Sequence, residues 1–168
     1  DEHYTLLAAD GLAWMYSELG EPERSRALHE DVLQRARALS DEAVVALQLD
    51  NLARFARDEG RLQDAREMLK ESLRINRDLD SPGGITENLC LFADLLGAEG
   101  RAEMAARLLS RAEALREEIG GAPSWVGELN EKTLTTIRAQ LDEAAFAEAW
   151  EQGRALTVDE VVSLALDS

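Results

Sequence analysis

Glycine recurs at one fixed interval along the chain, at Gly20, Gly60 and Gly100. When the sequence is aligned on these glycines, the residues around them align as well. Alanine stands seven positions before each glycine, at Ala13, Ala53 and Ala93, and a large residue precedes each alanine. After the glycines come first Ser25, Ala65 and Ala105, and then His29, Leu69 and Leu109. A small, large, glycine, small, large order with a period of 40 residues indicates an array of helix pairs.

The composition agrees with stacked helices and restricts the class of partner. Only 5% of the 168 residues are aromatic, and residues that favour helices are abundant. The formal net charge of −16 repels phosphates and anionic lipids, so we expect no direct nucleic-acid partner and no membrane partner. Cys90 is the single cysteine, which excludes an internal disulfide and predicts a cytoplasmic location.

The spacing of apolar residues predicts nine helices and no strand. The predicted ranges are 3–19, 22–39, 42–58, 62–79, 85–98, 102–119, 125–141, 142–152 and 158–166. Gly20 is expected to end the first helix in a left-handed conformation. Asp80 to Gly84 is predicted to be a loop, and Gly153 is predicted to separate the last two helices. Thr157 and Glu160 predict a capping box at the start of the last helix.

Small residues at matching positions predict how the two helices of one pair meet. Ala53 and Ala65 are expected to face each other, because two antiparallel helices approach closely only where side chains are short. Ala93 and Ala105 are the equivalent residues of the next pair. Large residues such as Leu52 and Leu69 would then fill the space between neighbouring pairs, so that each pair covers the apolar face of the next.

These residues carry a resemblance to a known family. Asn51-Leu52-Ala53 before Gly60, and Ala65 with Leu69 after it, resemble tetratricopeptide repeats of the longer, roughly forty-residue kind. HEAT-type repeats of similar length are the alternative, but they do not need small residues paired around a glycine. The first repeat departs from the tetratricopeptide pattern, with Ser25 and His29 where alanine and a large apolar residue are usual.

The resemblance implies an all-α, right-handed superhelix of three helix pairs with a C-terminal helical cap. The repeats would occupy residues 1–120, divided at about 40 and 80, and the cap would occupy residues 121–168. Trp125, Phe146 and Trp150 are interpreted as the apolar residues with which the cap shields the last repeat, and a docking patch is the alternative.

The C-terminal part carries a second, finer resemblance. The segment Arg107 to Arg116 and the stretch FAEAWEQGRALTVDEVVSLAL, which begins at Phe146, are similar to the tail of large bacterial STAND-type signalling ATPases and LuxR-type transcriptional regulators. This similarity implies a sensor region that binds an inducer or partner and controls a nucleotide switch. The chain starts at Asp1 rather than Met, and we expect that switch upstream. A free-standing peptide-binding adaptor is the alternative.

The resemblance also indicates the binding residues, because the first helix of each tetratricopeptide repeat lines the concave face. We expect a protein or peptide partner, including other domains of the full-length chain, to bind there. The predicted partner-binding residues are Trp14, Asp10, Asp50, Arg54, Arg57, Glu87, Cys90 and Asp94. Trp14 beside Arg54 and Arg57 would be an anchor, since tryptophan and arginine are enriched at interface hot spots. In the alternative interpretation, Trp14 packs on a preceding repeat and the arginines pair with Asp50 and Asp58.

No pattern in the sequence predicts catalysis, a metal or a cofactor. His3 and His29 are the two histidines, and with one cysteine they form no recognisable set of metal ligands. Glu87 and Asp94 flank Cys90 at helical spacing and disfavour a reactive thiolate. The chain contains no P-loop motif. We therefore expect no enzyme, and a catalytic or small-molecule-binding helical domain is the least favoured of three alternatives.

Overall fold

A computed structural model describes residues 2–121 and 123–168, so that Asp1, in the first predicted repeat, and Ala122, in the predicted cap, lie outside the described residues. The described residues form nine α helices and no strand, which confirms the all-α prediction. The helices are α1 (Glu2–Glu18), α2 (Pro22–Ala38), α3 (Glu42–Asp58), α4 (Leu62–Asp78), α5 (Pro82–Ala98), α6 (Ala102–Ile119), α7 (Ser124–Arg138), α8 (Glu143–Ala155) and α9 (Val158–Asp167).

The turns between the helices repeat at half the interval seen in the sequence. Gly20, Gly60 and Gly100 have φ values of 75°, 77° and 78°, which confirms the left-handed conformation expected at Gly20. Ser40 and Asp80 adopt the same conformation, with φ values of 54° and 50°. Each costs about 1 kcal/mol in backbone strain because it carries a Cβ atom. This turn geometry is therefore common to the five connections from α1 to α6, although glycine marks only alternate ones.

Two glycine-based predictions were wrong. The predicted loop from Asp80 to Gly84 is shorter, because α5 begins at Pro82 and the Ser81 hydroxyl accepts a hydrogen bond from the Gly84 N–H. Proline suits the first turn of a helix, where its missing N–H needs no partner. Gly153 does not separate two helices but lies inside α8, which crosses α6 closely at that point.

The chain divides into two compact units, the first of which ends at Leu79. In this unit α1 packs on α2, α2 on α3 and α3 on α4. The core contains Leu6, Val32, Ala36, Val44, Val45 and Leu49. Ala53 and Ala65 are 1% and 0% exposed, which agrees with a place between packed helices, and their facing each other stays a prediction.

The second unit begins at Asp80 and contains α5 to α9. α5 packs on α6, α7 contacts both of these helices, and α8 packs on α6. Ala93 and Ala105 are fully buried, as in the equivalent pair of the first unit. The helices after residue 121 thus pack on the α5–α6 pair. The division into repeats over residues 1–120 and a cap over residues 121–168 stays a prediction.

Candidate partner-binding surface

A tryptophan and an arginine from two neighbouring first helices meet on the first unit. Trp14 lies on α1 and Arg54 on α3, and both side chains are half-buried. The guanidinium carbon of Arg54 lies 4.8 Å from the centroid of the Trp14 ring, within the range of a cation–π contact. The structure thus brings together two of the predicted anchor residues, and we name them the Trp14–Arg54 pair.

Beside this pair, a network of polar side chains connects α1, α2 and α3. Asp10 Oδ1 accepts hydrogen bonds from Gln48 Nε2 at 2.9 Å and from Asn51 Nδ2 at 3.0 Å. Gln48 Oε1 lies 2.7 Å from His29 Nδ1, and Gln48 and His29 are 0% and 3% exposed. Buried polar groups are stabilising only when they are hydrogen-bonded, and this network supplies the bonds.

The network determines which nitrogen of His29 carries the hydrogen. Because Gln48 Nε2 donates to Asp10, Gln48 Oε1 is the amide atom that faces His29, and it can only accept a hydrogen bond. His29 Nδ1 must therefore be the protonated nitrogen, which leaves a lone pair on Nε2. Burial lowers the pKa of His29 more than the hydrogen bond to Gln48 Oε1 and the charge of Asp10 raise it. The imidazole is consequently neutral at physiological pH.

A cavity of about 70 Å³ lies against the Trp14–Arg54 pair. The residues that line it are Trp14, Ser17, Ser25, His29, Asn51, Arg54, Phe55 and Asp58. The Ser25 hydroxyl is fully buried, and its Oγ has no hydrogen-bond partner among the described residues. We name this space the Ser25–His29 cavity.

Two predicted binding residues of α3 are less available to a partner than the sequence suggested. Asp50 is only 7% exposed, so little of this predicted binding residue is open to a partner. α3 contacts α1, α2 and α4, and these helices leave little of its surface open. Arg57 Nη1 lies 3.1 Å from Asp58 Oδ1, a pairing that the alternative interpretation expected.

The second unit covers the equivalent face of its own first helix. α7 packs on α5, and Thr133 Oγ1 of α7 donates a 3.4 Å hydrogen bond to Asp94 Oδ1. Gln140, just after α7, donates through Nε2 to the Gly97 carbonyl at 2.9 Å. This face is therefore occupied by the chain itself, and it offers less surface for a partner than the sequence predicted.

Burial changes the chemistry of the other predicted residues on α5. Cys90 is 0% exposed because α7 covers it, so this predicted binding residue is closed to a partner. Burial raises the pKa of the Cys90 thiol to about 12, although a hydrogen bond with Asn130 lowers it in part. Burial also raises the pKa of the half-buried Glu87 carboxyl. Neither group has the character of a reactive nucleophile.

The sequence contained a signal for this coverage in α7. Its buried residues are Val126, Asn130, Thr133 and Ile137, which follow one another at helical spacing. Because two of these four residues are polar, a search for apolar residues at helical spacing did not predict that this face of α7 is buried. α5 and α7 lie close together at Gly97, since a Cβ atom built there would contact Thr136 Cγ2 at 3.6 Å.

A comparison with protein families matches the first unit to a known repeat. The family model described as Tetratricopeptide repeat matches residues 5–42 and 45–79, which cover most of the α1–α2 and α3–α4 pairs. These two stretches are therefore similar to tetratricopeptide repeats. Residues 80–168 lie outside the two matched stretches. No curated protein and no solved structure shows significant similarity to the chain.

The described residues form neither a membrane-spanning helix nor a cluster of metal ligands. None of the helices within residues 2–121 and 123–168 is long and apolar enough to cross a bilayer. No group of three His, Cys, Asp or Glu side chains in these residues could hold a metal ion.

Proposed function

We propose that the first unit is a scaffold for a protein partner and that a peptide segment of the partner binds at the Trp14–Arg54 pair. Tetratricopeptide repeats generally bind proteins or peptides, and residues 5–42 and 45–79 match this family. The observation that carries the proposal is the half-exposed Trp14 ring with the Arg54 guanidinium 4.8 Å from its centroid, beside a polar cavity. Tryptophan and arginine are the residues in which binding energy concentrates. We assign no catalytic activity and no cofactor to the chain.

We further propose that the chain is the C-terminal regulatory region of a cytoplasmic bacterial STAND-type ATPase or LuxR-type regulator. The support is the similarity of the segment from Phe146 to Leu166 to the tails of that family. The net charge of −16 disfavours nucleic acids and membranes as direct partners. A P-loop encoded upstream of Asp1 would support this proposal. A start codon next to Asp1 would contradict it and favour a free-standing adaptor.

Residues 121–168 would then serve as the helical cap of the array. Within the second unit, α7 covers α5, and α8 packs on α6 with the Phe146 and Trp150 rings stacked 5.4 Å apart. The Arg138 guanidinium lies over the Phe146 ring, 4.1 Å from its centroid. A terminal cap needs apolar residues on its inner side and charge on its outer side. The two stacked rings and the overlying arginine fit that requirement.

A selection from a phage-displayed library of random peptides tests the binding surface. The 168-residue chain is the bait, and Trp14→Ala and Arg54→Ala are the test variants. We expect each substitution to weaken the binding of the selected peptides at least about tenfold, as substitutions of hot-spot residues do.

Trp125→Ala and Arg74→Ala are the matched controls, because Trp125 belongs to the second unit and Arg74 is exposed on α4. Circular dichroism of every variant would show that the helices are retained. Equal binding by the wild type and both test variants would refute the proposed surface. Weakening by the control variants to the same degree would also refute it.

A further inference from the structure

The first helix pair differs from the other two at the positions five and nine residues after the glycine. Ala65 and Leu69 in the second pair, and Ala105 and Leu109 in the third, are at most 2% exposed and pack as apolar residues. The equivalent residues of the first pair are Ser25 and His29, both buried and both lining the Ser25–His29 cavity. The polar residues thus occur in the pair that carries the Ser25–His29 cavity.

The two side chains offer hydrogen-bonding groups that the protein leaves unused. Ser25 Oγ has no partner within the described residues. The Nδ1 atom of His29 is bound by Gln48, and no hydrogen bond to Nε2 is formed in that part of the chain. A buried hydroxyl without a partner is destabilising, and a ligand that hydrogen-bonds to it would offset this cost. The cavity therefore offers one acceptor, at Nε2, and one hydroxyl that can donate or accept.

Charge and size restrict what can occupy this space. The cavity is lined by one cation, Arg54, and one anion, Asp58, so its lining favours neither a carboxylate nor an ammonium group. A neutral group that donates a hydrogen bond remains. The volume of about 70 Å³ is about half of the 150 Å³ that holds a benzene molecule, so an aromatic side chain is too large.

We propose that the Ser25–His29 cavity is a subsite for the hydroxyl group of a serine or threonine side chain of the bound peptide. The hydroxyl donates to His29 Nε2 and forms its second hydrogen bond with Ser25 Oγ. The Asp10–Gln48 network holds the imidazole in the tautomer that accepts this bond. The inference rests on the proposed peptide-binding function and adds a residue preference to it.

Ethanol, which has the atoms of a threonine side chain, is the probe for the cavity itself. We expect its titration to shift the ¹⁵N resonance of His29 Nε2 in a saturable manner, with a Kd no tighter than about 1 mM for so few atoms. Acetate and methylammonium are the comparison probes and should leave that resonance unchanged. Ser25→Val fills the cavity and removes the hydroxyl, and we expect it to abolish the ethanol response. A cavity filled by water alone would show no saturable response in the wild type, which would overturn the inference.

Ser25→Val could itself unfold the protein, and a second variant guards against this outcome. Ser25→Ala/His29→Leu gives the first pair the residues that pack in the second and third pairs. We expect this double variant to retain its helices by circular dichroism and to lose the preference for hydroxyl-bearing peptides. Retention of that preference in a folded double variant would contradict the proposal.

The peptide selection separates this inference from the proposed function. The wild type should enrich serine or threonine at one position, and replacing a selected threonine by isosteric valine should weaken binding about three- to tenfold. Ser25→Val should bind both peptides equally. Selected peptides without this preference would overturn the inference and leave the peptide-binding function intact. A selection that yields no peptide would overturn both.

Discussion

Gly153 lies at the closest approach of two helices in the second unit, and Gly153→Ala tests that packing directly. A Cβ atom at this position would lie 2.2 Å from the Arg107 carbonyl oxygen and 2.5 Å from the Arg107 Cα. Side-chain Cβ atoms essentially never come within 3.0 Å of another heavy atom, so α8 would have to move away from α6 by at least about 0.8 Å. No rotation of a side chain can relieve the clash, because the opposing atoms belong to the backbone.

The expected loss of stability follows from two opposing effects. Overpacking costs about 1–3 kcal/mol, and a clash with backbone places this site at the upper end of that range. Replacing a glycine inside a helix by alanine stabilises the folded state by about 0.5–1 kcal/mol. The displacement would also stretch the 2.6 Å hydrogen bond from Ser110 Oγ to the Trp150 carbonyl, which joins the same two helices. We expect a net decrease of about 2 kcal/mol in the free energy of unfolding.

Urea denaturation followed by circular dichroism measures this change. The matched control is Gly127→Ala in α7, where a Cβ atom would meet no heavy atom within 4 Å. Without a clash, the helix preference of alanine should make that variant more stable by about 0.5–1 kcal/mol. The two alanine substitutions should therefore change stability in opposite directions. If Gly153→Ala were as stable as the wild type, the close crossing of α6 and α8 would be wrong.

Four further predictions concern other parts of the chain. Ala65→Leu should overpack the α3–α4 contact and lower the free energy of unfolding by about 1–3 kcal/mol in urea denaturation, and an unchanged midpoint would contradict this. Cys90 should resist thiol reagents in the native protein and react in urea, because its thiol is buried and its pKa is about 12. Burial lowers the pKa of His29 in the folded state, so stability should fall as the pH drops below its unfolded pKa of about 6.5, and His29→Gln should reduce that slope in denaturation at several pH values. Thr157→Ala removes the capping box of α9, and hydrogen exchange in this helix should report a loss of about 1 kcal/mol.

The helices could be predicted from the sequence because their signals are local. Apolar spacing locates each helix, and residues such as Asp41 and Thr157 cap the helices that follow them. The period of 40 residues then predicted which small residues would be buried, and Ala53 and Ala65 confirm it. The turn residues Ser40 and Asp80 escaped prediction, since the hydrogen bonds of the helix ends impose a left-handed conformation there despite the Cβ atom.

The candidate site was predictable only in part. The repeat period placed Trp14 and Arg54 on first helices, and the structure brings their side chains together. The network around His29 was not predicted, because its hydrogen bonds join residues 19 to 41 positions apart in the sequence. The departure of Ser25 and His29 from the repeat pattern was visible, but nothing in the sequence revealed a cavity beside them.

Sequence alone determined the number of helices, their order and the small residues at their contacts, since these depend on neighbours within a few turns. Tertiary structure decided which helix covers which face. α7 buries Cys90, and α8 uses Gly153 for close approach where the sequence indicated a break. The sequence does not distinguish a glycine that ends a helix from one that allows two helix backbones to approach closely. Only the position of the opposing backbone distinguishes them, and that position results from packing between distant segments.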